Sequence, residues 1–228
     1  MHPRIIKSFE DFQEDLKSFC NEKAIEKDKI TIVGVSKKKS LENILTLYKK
    51  GLRDFGENYA QEMNEKASAL YEEKIRWHFM GPIQTNKINL IVKNAYLVHS
   101  VDREKVIKKM DFESKKISKK QKILIQVNIS GEDSKSGISP DDVEKFVNLV
   151  DDFANLELAG LMFMPNIHQK RAMHLKEIND SVKLFNDMRA KKENIEILSL
   201  GTSSDYKVCI NEGSNLIRVG EILFGPRL

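Results

Sequence analysis

Eight short apolar, β-branched runs are spaced along the chain: Ile30–Ser36, Arg53–Gly56, Arg76–Met80, Tyr96–Val101, Ile123–Ile129, Leu158–Met164, Ile197–Leu200 and Leu216–Val219. Each has the length and composition of a strand buried on both faces, as in a parallel sheet. Charged stretches with helical spacing separate them. Leu41–Lys50 follows Ser40, a residue suited to an N-cap, and Asp141–Asp151 follows Pro140 with Val143, Phe146, Val147 and Val150 on one face. Met173–Lys191 carries Leu175, Ile178, Val182, Phe185 and Met188 at three- and four-residue steps, and an amphipathic stretch, Ile5–Ala24, precedes the first strand.

Alternation of strand and helix with short connections gives parallel strands joined by right-handed crossovers, and eight such units predict an α/β fold of the closed (β/α)8, or TIM, barrel type with an extra N-terminal helix. The competing architecture is an open doubly wound sheet. Its Gly-x-Gly-x-x-Gly fingerprint is missing from the first strand–helix turn, where Ser36-Lys37-Lys38-Lys39-Ser40 stands instead. At 228 residues, of which 40% are hydrophobic, the chain supports one substantial core, so residues 1–228 read as one domain. The tract Lys115–Lys122, with five lysines in eight residues, reads as a solvated helix end and loop.

Charge narrows the partners. The 38 basic and 34 acidic residues nearly cancel to +4, which falls short of the concentrated basic face that nucleic acid requires. Cys20 and Cys209 are too few for a disulfide scaffold and lack zinc-site spacing, so a reducing compartment is expected. The segment from Met1 to Lys7 soon meets Glu10, Asp11, Glu14 and Asp15, unlike a signal or transit peptide, and no apolar run approaches a membrane span. A cytoplasmic protein without nucleic-acid or membrane partners is the expectation.

Barrel chemistry sits at the C-terminal ends of the strands, with phosphate commonly held after strands seven and eight. Period-two alternation in the first run sets Thr31, Val33, Val35 and Lys37 on one face, so an inward face would raise the Lys37 ammonium into the barrel mouth. A partly desolvated lysine beside other cations has a lowered pKa and condenses with aldehydes; the plainer alternative is a solvated basic turn. Arg218 lies opposite Ile217 and Val219, which makes it either a structural ion-pair partner or a donor to a ligand's ring nitrogen or phosphate. Gly201-Thr202-Ser203-Ser204-Asp205 and Gly220-Glu221 fall at the two phosphate-binding loops, though an isolated Gly-Thr-Ser-Ser turn serves equally as a helix cap. Glu57, Asn58 and Tyr59, then His78, His99, Ser100 and Asn128, add polar groups at the ends of further strands and predict a polar mouth. His78 and His99 taken singly read as satisfied core histidines. No metal-ligand spacing and no strong Ser-His-Asp signal is present.

These segments, in their order, resemble the pyridoxal phosphate homeostasis proteins, small relatives of the fold-type III alanine racemase barrel. The resemblance is carried by Val35-Ser36-Lys37, Phe55-Gly56-Glu57-Asn58-Tyr59 with Gln61-Glu62, and Trp77 through Lys87. It continues through His99-Ser100-Val101-Asp102-Arg103, Gln126 to Ser130, Ser134-Lys135-Ser136-Gly137, Gly160-Leu161-Met162, and Ile217 to Gly220 with Phe224-Gly225-Pro226-Arg227. It implies that Lys37 carries pyridoxal 5′-phosphate (PLP) as an internal aldimine. It also places Arg218 at the pyridine nitrogen, Thr202 and Ser203 with the amides of Gly220 and Glu221 at the phosphate, and Asn58 at the mouth. An arginine there keeps the ring nitrogen unprotonated and weakens the cofactor as an electron sink. Leu200 and Thr202 stand where the family more often has methionines, and Pro165–Arg171 is a less typical version of its loop.

The resemblance therefore implies a monomeric protein of vitamin B6 homeostasis that stores, buffers or delivers PLP, with no catalytic residues of its own and apo PLP enzymes as possible recipients. The second domain that supplies alanine racemase with its opposing tyrosine is expected to be absent, because only Glu221–Leu228 follow strand eight. The alternative is a PLP-dependent amino-acid racemase with Lys37 as one base and a mouth residue such as His78 as the other. A cofactor-free phosphosugar barrel is the third reading.

Overall fold

The computed structural model describes residues 2–132 and 135–225. Met1, Ser134 of the Ser134–Gly137 segment, and Pro226 and Arg227 of the segment beginning at Phe224 lie outside the described residues.

All eight expected strands form: β1 (Thr31–Val35), β2 (Asp54–Glu57), β3 (Arg76–Phe79), β4 (Ala95–Val101), β5 (Gln121–Val127), β6 (Leu156–Phe163), β7 (Ile197–Thr202) and β8 (Leu216–Val219). They pair in parallel in chain order, and β8 returns to pair with β1, with Thr31 opposite Leu216 and Val33 opposite Arg218. The sheet is thus a closed barrel, and the open-sheet alternative is excluded.

The helices are α1 (Pro3–Glu22), α2 (Leu41–Lys49), α3 (Ala60–Ala69), α4 (Ile88–Asn94), α5 (Glu104–Lys116), α6 (Val143–Val150), α7 (Arg171–Lys191), α8 (Tyr206–Asn211) and α9 (Glu221–Phe224). Ser40 caps α2 by accepting from the Asn43 amide at 3.3 Å. A 3-10 turn, Pro140–Asp142, opens the stretch expected as one helix, and α6 follows it. The stripe Phe9, Phe12, Leu16 and Cys20 buries one face of α1, which packs against α2 and α9 across the β8–β1 junction.

Two cores result. Residues pointing out of the sheet, among them Phe55, Val98, Ile125 and Leu198, meet the buried faces of the helices. A smaller interior cluster, Val33, Leu97, Leu124, Ala159, Met162 and Leu216, fills the barrel itself, so the inward face of β1 is the one carrying Val33.

The lysine tract departs from expectation at Lys119. This lysine is half-buried, and its ammonium donates to the carbonyls of Val92 at 2.7 Å and Ala95 at 2.6 Å, closing the C-terminal end of α4, while burial lowers its pKa to about 8. Among the described residues, no helix is long and apolar enough to cross a membrane.

Candidate functional site

Lys37 sits two residues past the end of β1, half-buried, in a turn tied down from behind. Ser36 Oγ donates to Glu57 Oε1 at 2.6 Å, and Lys66 Nζ donates to the Ser36 carbonyl, Glu57 Oε1 and Glu62 Oε1, each at 2.7 Å. The Lys38 amide donates to Glu62 Oε1 at 2.5 Å, while Lys38 takes a left-handed φ of 59°. Burial pushes the Glu57 carboxyl up, against the opposing pull of Lys66. Glu57 is therefore not a mouth residue, as its place at a strand end had suggested; its fully buried carboxylate anchors the turn from outside the barrel.

Arg218 points inward from β8 and is 6% exposed. Its Nη1 donates to Ser199 Oγ at 2.5 Å and its Nη2 to the Phe163 carbonyl at 2.9 Å. Both acceptors are uncharged. Burial lowers the guanidinium to about 10 despite the attraction of the buried Asp205 carboxylate.

Gly201, with φ of 106°, turns the chain out of β7. Thr202 then gives both its donors to Asp205 Oδ1, the amide at 2.7 Å and the hydroxyl at 2.9 Å. Ser203 Oγ accepts from the Gly220 amide at 3.2 Å, joining the loops after β7 and β8. Gly81 lets β3 exit hard against Asn58: a Cβ there would fall 1.9 Å from the Asn58 carbonyl oxygen.

Lys37, Asn58, Thr202, Ser203, Arg218, Gly220 and Glu221, the seven residues that the resemblance assigned to the cofactor, all line one cleft of about 350 Å³ at the upper mouth. Val35, Met80 and Met164 supply its apolar wall. A neighbouring cleft of about 420 Å³ shares Asn58, Thr202 and Arg218 and adds Asn128, Lys135 and Asn166. The donor set matches the parts of PLP: a primary amine for an aldehyde, a guanidinium for a ring nitrogen, and hydroxyls with backbone amides for a phosphate.

His78 is not at the mouth. It lies in the barrel interior, bonded to His99 and Asp54, and is 1% exposed, so it does not line the cleft where a second base would work. Burial lowers the pKa of both histidines, and for His99 the neighbouring His78 and Arg218 lower it further. Ser199 and Asp54, which complete this interior set, were not anticipated from sequence. Ser199 is 100 residues from His99, beyond any local pattern.

Comparison with known proteins agrees with this architecture. A family model described as the N-terminal domain of alanine racemase matches residues 22–227. A pyridoxal phosphate homeostasis protein of Vibrio alginolyticus is 36% identical over 204 residues, 88% of this chain and 88% of that one. The chain belongs to the pyridoxal phosphate homeostasis protein family. A solved structure, PipY of Synechococcus elongatus with PLP bound, superposes with a TM-score of 0.84 at 24% identity, covering 97% of this chain and 100% of the other. Alanine racemase of Clostridium difficile 630 shares the fold at a TM-score of 0.71 and 16% identity, with 94% of this homeostasis-family chain matching 57% of the racemase.

Proposed function

We propose that this chain binds PLP through Lys37 in the upper-mouth cleft and holds it for vitamin B6 homeostasis in the cytoplasm, as a monomer without turnover of its own. The observation that carries this is the convergence of Lys37, Arg218, Ser203 and Gly220 on one cleft of about 350 Å³. Family membership supports it, as does the PipY structure with PLP bound. When bound, the cofactor supplies an aldehyde that accepts amines and a ring that withdraws electrons.

Lys37 would supply the primary amine that condenses with that aldehyde. The Ser36–Glu57–Lys66 network fixes the turn from which that amine projects. Arg218 would donate toward the ring nitrogen and so favour its unprotonated form, holding the ring without priming it as a carbanion sink. Ser203 and the Glu221 amide, with the Gly220 amide once released from Ser203 Oγ, would hold the phosphate, and Asn58 borders the mouth. Thr202, whose donors are turned to Asp205, shapes this loop through that contact. The buried position of His78 speaks against the two-base racemase. Apo PLP enzymes are the recipients to which the cofactor would pass.

Purified protein given PLP will show a visible absorbance band that borohydride fixes to the peptide containing Lys37, and Lys37→Ala will lose both. A colourless wild-type protein, or label fixed only on another lysine, overturns the reading. Deuterium exchange at Cα of a panel of amino acids in heavy water will not exceed that given by free PLP; exchange at enzymatic rates would establish the racemase instead.

A further inference from the structure

A line of polar side chains crosses the barrel interior from Arg218 at the upper mouth to Arg76 at the lower one. Arg218 Nη1 meets Ser199 Oγ at 2.5 Å, Ser199 Oγ meets His99 Nδ1 at 3.0 Å, His99 Nε2 meets His78 Nδ1 at 2.8 Å, and His78 Nε2 meets Asp54 Oδ1 at 2.9 Å. Asp54 is clamped in turn by Arg76, Nε at 2.7 Å to Oδ1 and Nη2 at 2.5 Å to Oδ2. Ser199, His78 and His99 are sealed from solvent, and Asp54 and Arg218 nearly so.

The two ends dictate the direction of every bond between them. A guanidinium only donates and a carboxylate only accepts. Ser199 Oγ accepts from Arg218, which leaves its own proton for His99 Nδ1. His99 then carries its proton on Nε2 and donates to His78 Nδ1; His78 carries its proton on Nε2 and donates to Asp54. The opposite arrangement would turn the bare nitrogen lone pair of His78 onto the Asp54 carboxylate, a repulsive contact in a dry interior. Both rings are neutral, as their burial favours, and both are held in a single tautomer.

We propose that Ser199, His99, His78 and Asp54 form a one-way hydrogen-bond relay that positions Arg218, fixing which of its N–H groups are spent inside the barrel and which face the cofactor ring. They are positioning residues: Ser199 touches Arg218 directly, and His99, His78 and Asp54 act through it. The relay ties the guanidinium plane to β7, β4, β3 and β2 in succession, so the donor at the ring nitrogen is set by groups that do not line the cleft. The consequence for the cofactor rests on the PLP reading above. The relay itself does not.

Nitrogen-15 NMR of histidine-labelled protein without cofactor tests the relay alone. Both His78 and His99 are expected to show the Nε2–H tautomer, unchanged between pH 6 and pH 8; an Nδ1–H tautomer or a protonated ring at either position overturns it, whatever the protein binds. Absorbance titration with PLP tests the consequence. Ser199→Ala is expected to weaken PLP retention roughly tenfold, the worth of one hydrogen bond to a charged group, and to move the pH midpoint of the bound band, with Ser199→Thr restoring both. A wild-type midpoint and affinity in Ser199→Ala would show that Arg218 needs no relay. Wild-type protein that takes up no PLP while keeping both tautomers would refute the cofactor reading and leave the relay standing.

Discussion

Arg218 is a buried cation whose direct hydrogen bonds go to a hydroxyl and a carbonyl, not to a carboxylate. An arrangement of this kind leaves the guanidinium without a hydrogen-bonded counter-charge, which suits the recognition role proposed for it better than a stabilising one. Arg218→Ala is expected to weaken PLP retention about 10- to 100-fold, the range for losing a charged hydrogen bond, as read by equilibrium dialysis. Arg218→Lys should restore little of it, because one ammonium cannot reach Ser199, the Phe163 carbonyl and a ring nitrogen at once. Full recovery with lysine would show that charge alone matters there. Lys37 and Arg218 were both legible in the sequence, since alternation along β1 and β8 marks which side chains enter the barrel. The partners of Arg218 were not, because Ser199 and His99 meet only once the barrel closes.

At the level of elements, strands buried on both faces leave continuous apolar runs, and these located every strand to within a few residues. Helices were less visible where their burial is shallow or their length short. Within α3 only Ala60, Met63 and Lys66 are buried, and α8 and α9 span six and four residues, too few for a periodic signal. The connection between β2 and α3 has its own pH signature. Burial raises Glu57 above the ordinary value of 4.5, so between that value and its folded value the unfolded chain binds fewer protons than the folded one. Stability contributed by this group therefore falls as pH rises through that window. Asp54 runs the other way: burial tends to raise it, but bonds from His78 and Arg76 prevail and hold it low, so its contribution is lost as pH falls through its depressed value. Urea melts of Glu57→Gln from pH 4.5 to 7.5 should show a shallower decline with rising pH than the wild type. An identical slope would mean that Lys66 neutralises the burial cost.

Over the whole molecule, the cleft straddles the β8–β1 junction, with Val35 and Lys37 on one side and Arg218, Gly220 and Glu221 on the other. A ligand that binds only the closed ring stabilises it by mass action. Hydrogen exchange with saturating PLP should therefore slow most at the amides of Thr31–Val35 and Leu216–Val219, and less at β4 and β5 across the barrel. Uniform slowing would indicate that the whole fold opens as one unit.

That junction also orders events during synthesis. A nascent chain that has made β1 through β7 already carries the Lys37 amine, yet it lacks Arg218, Gly220 and Glu221, which reach the cleft only with β8. On the proposed reading, tight retention of the cofactor therefore waits for ring closure.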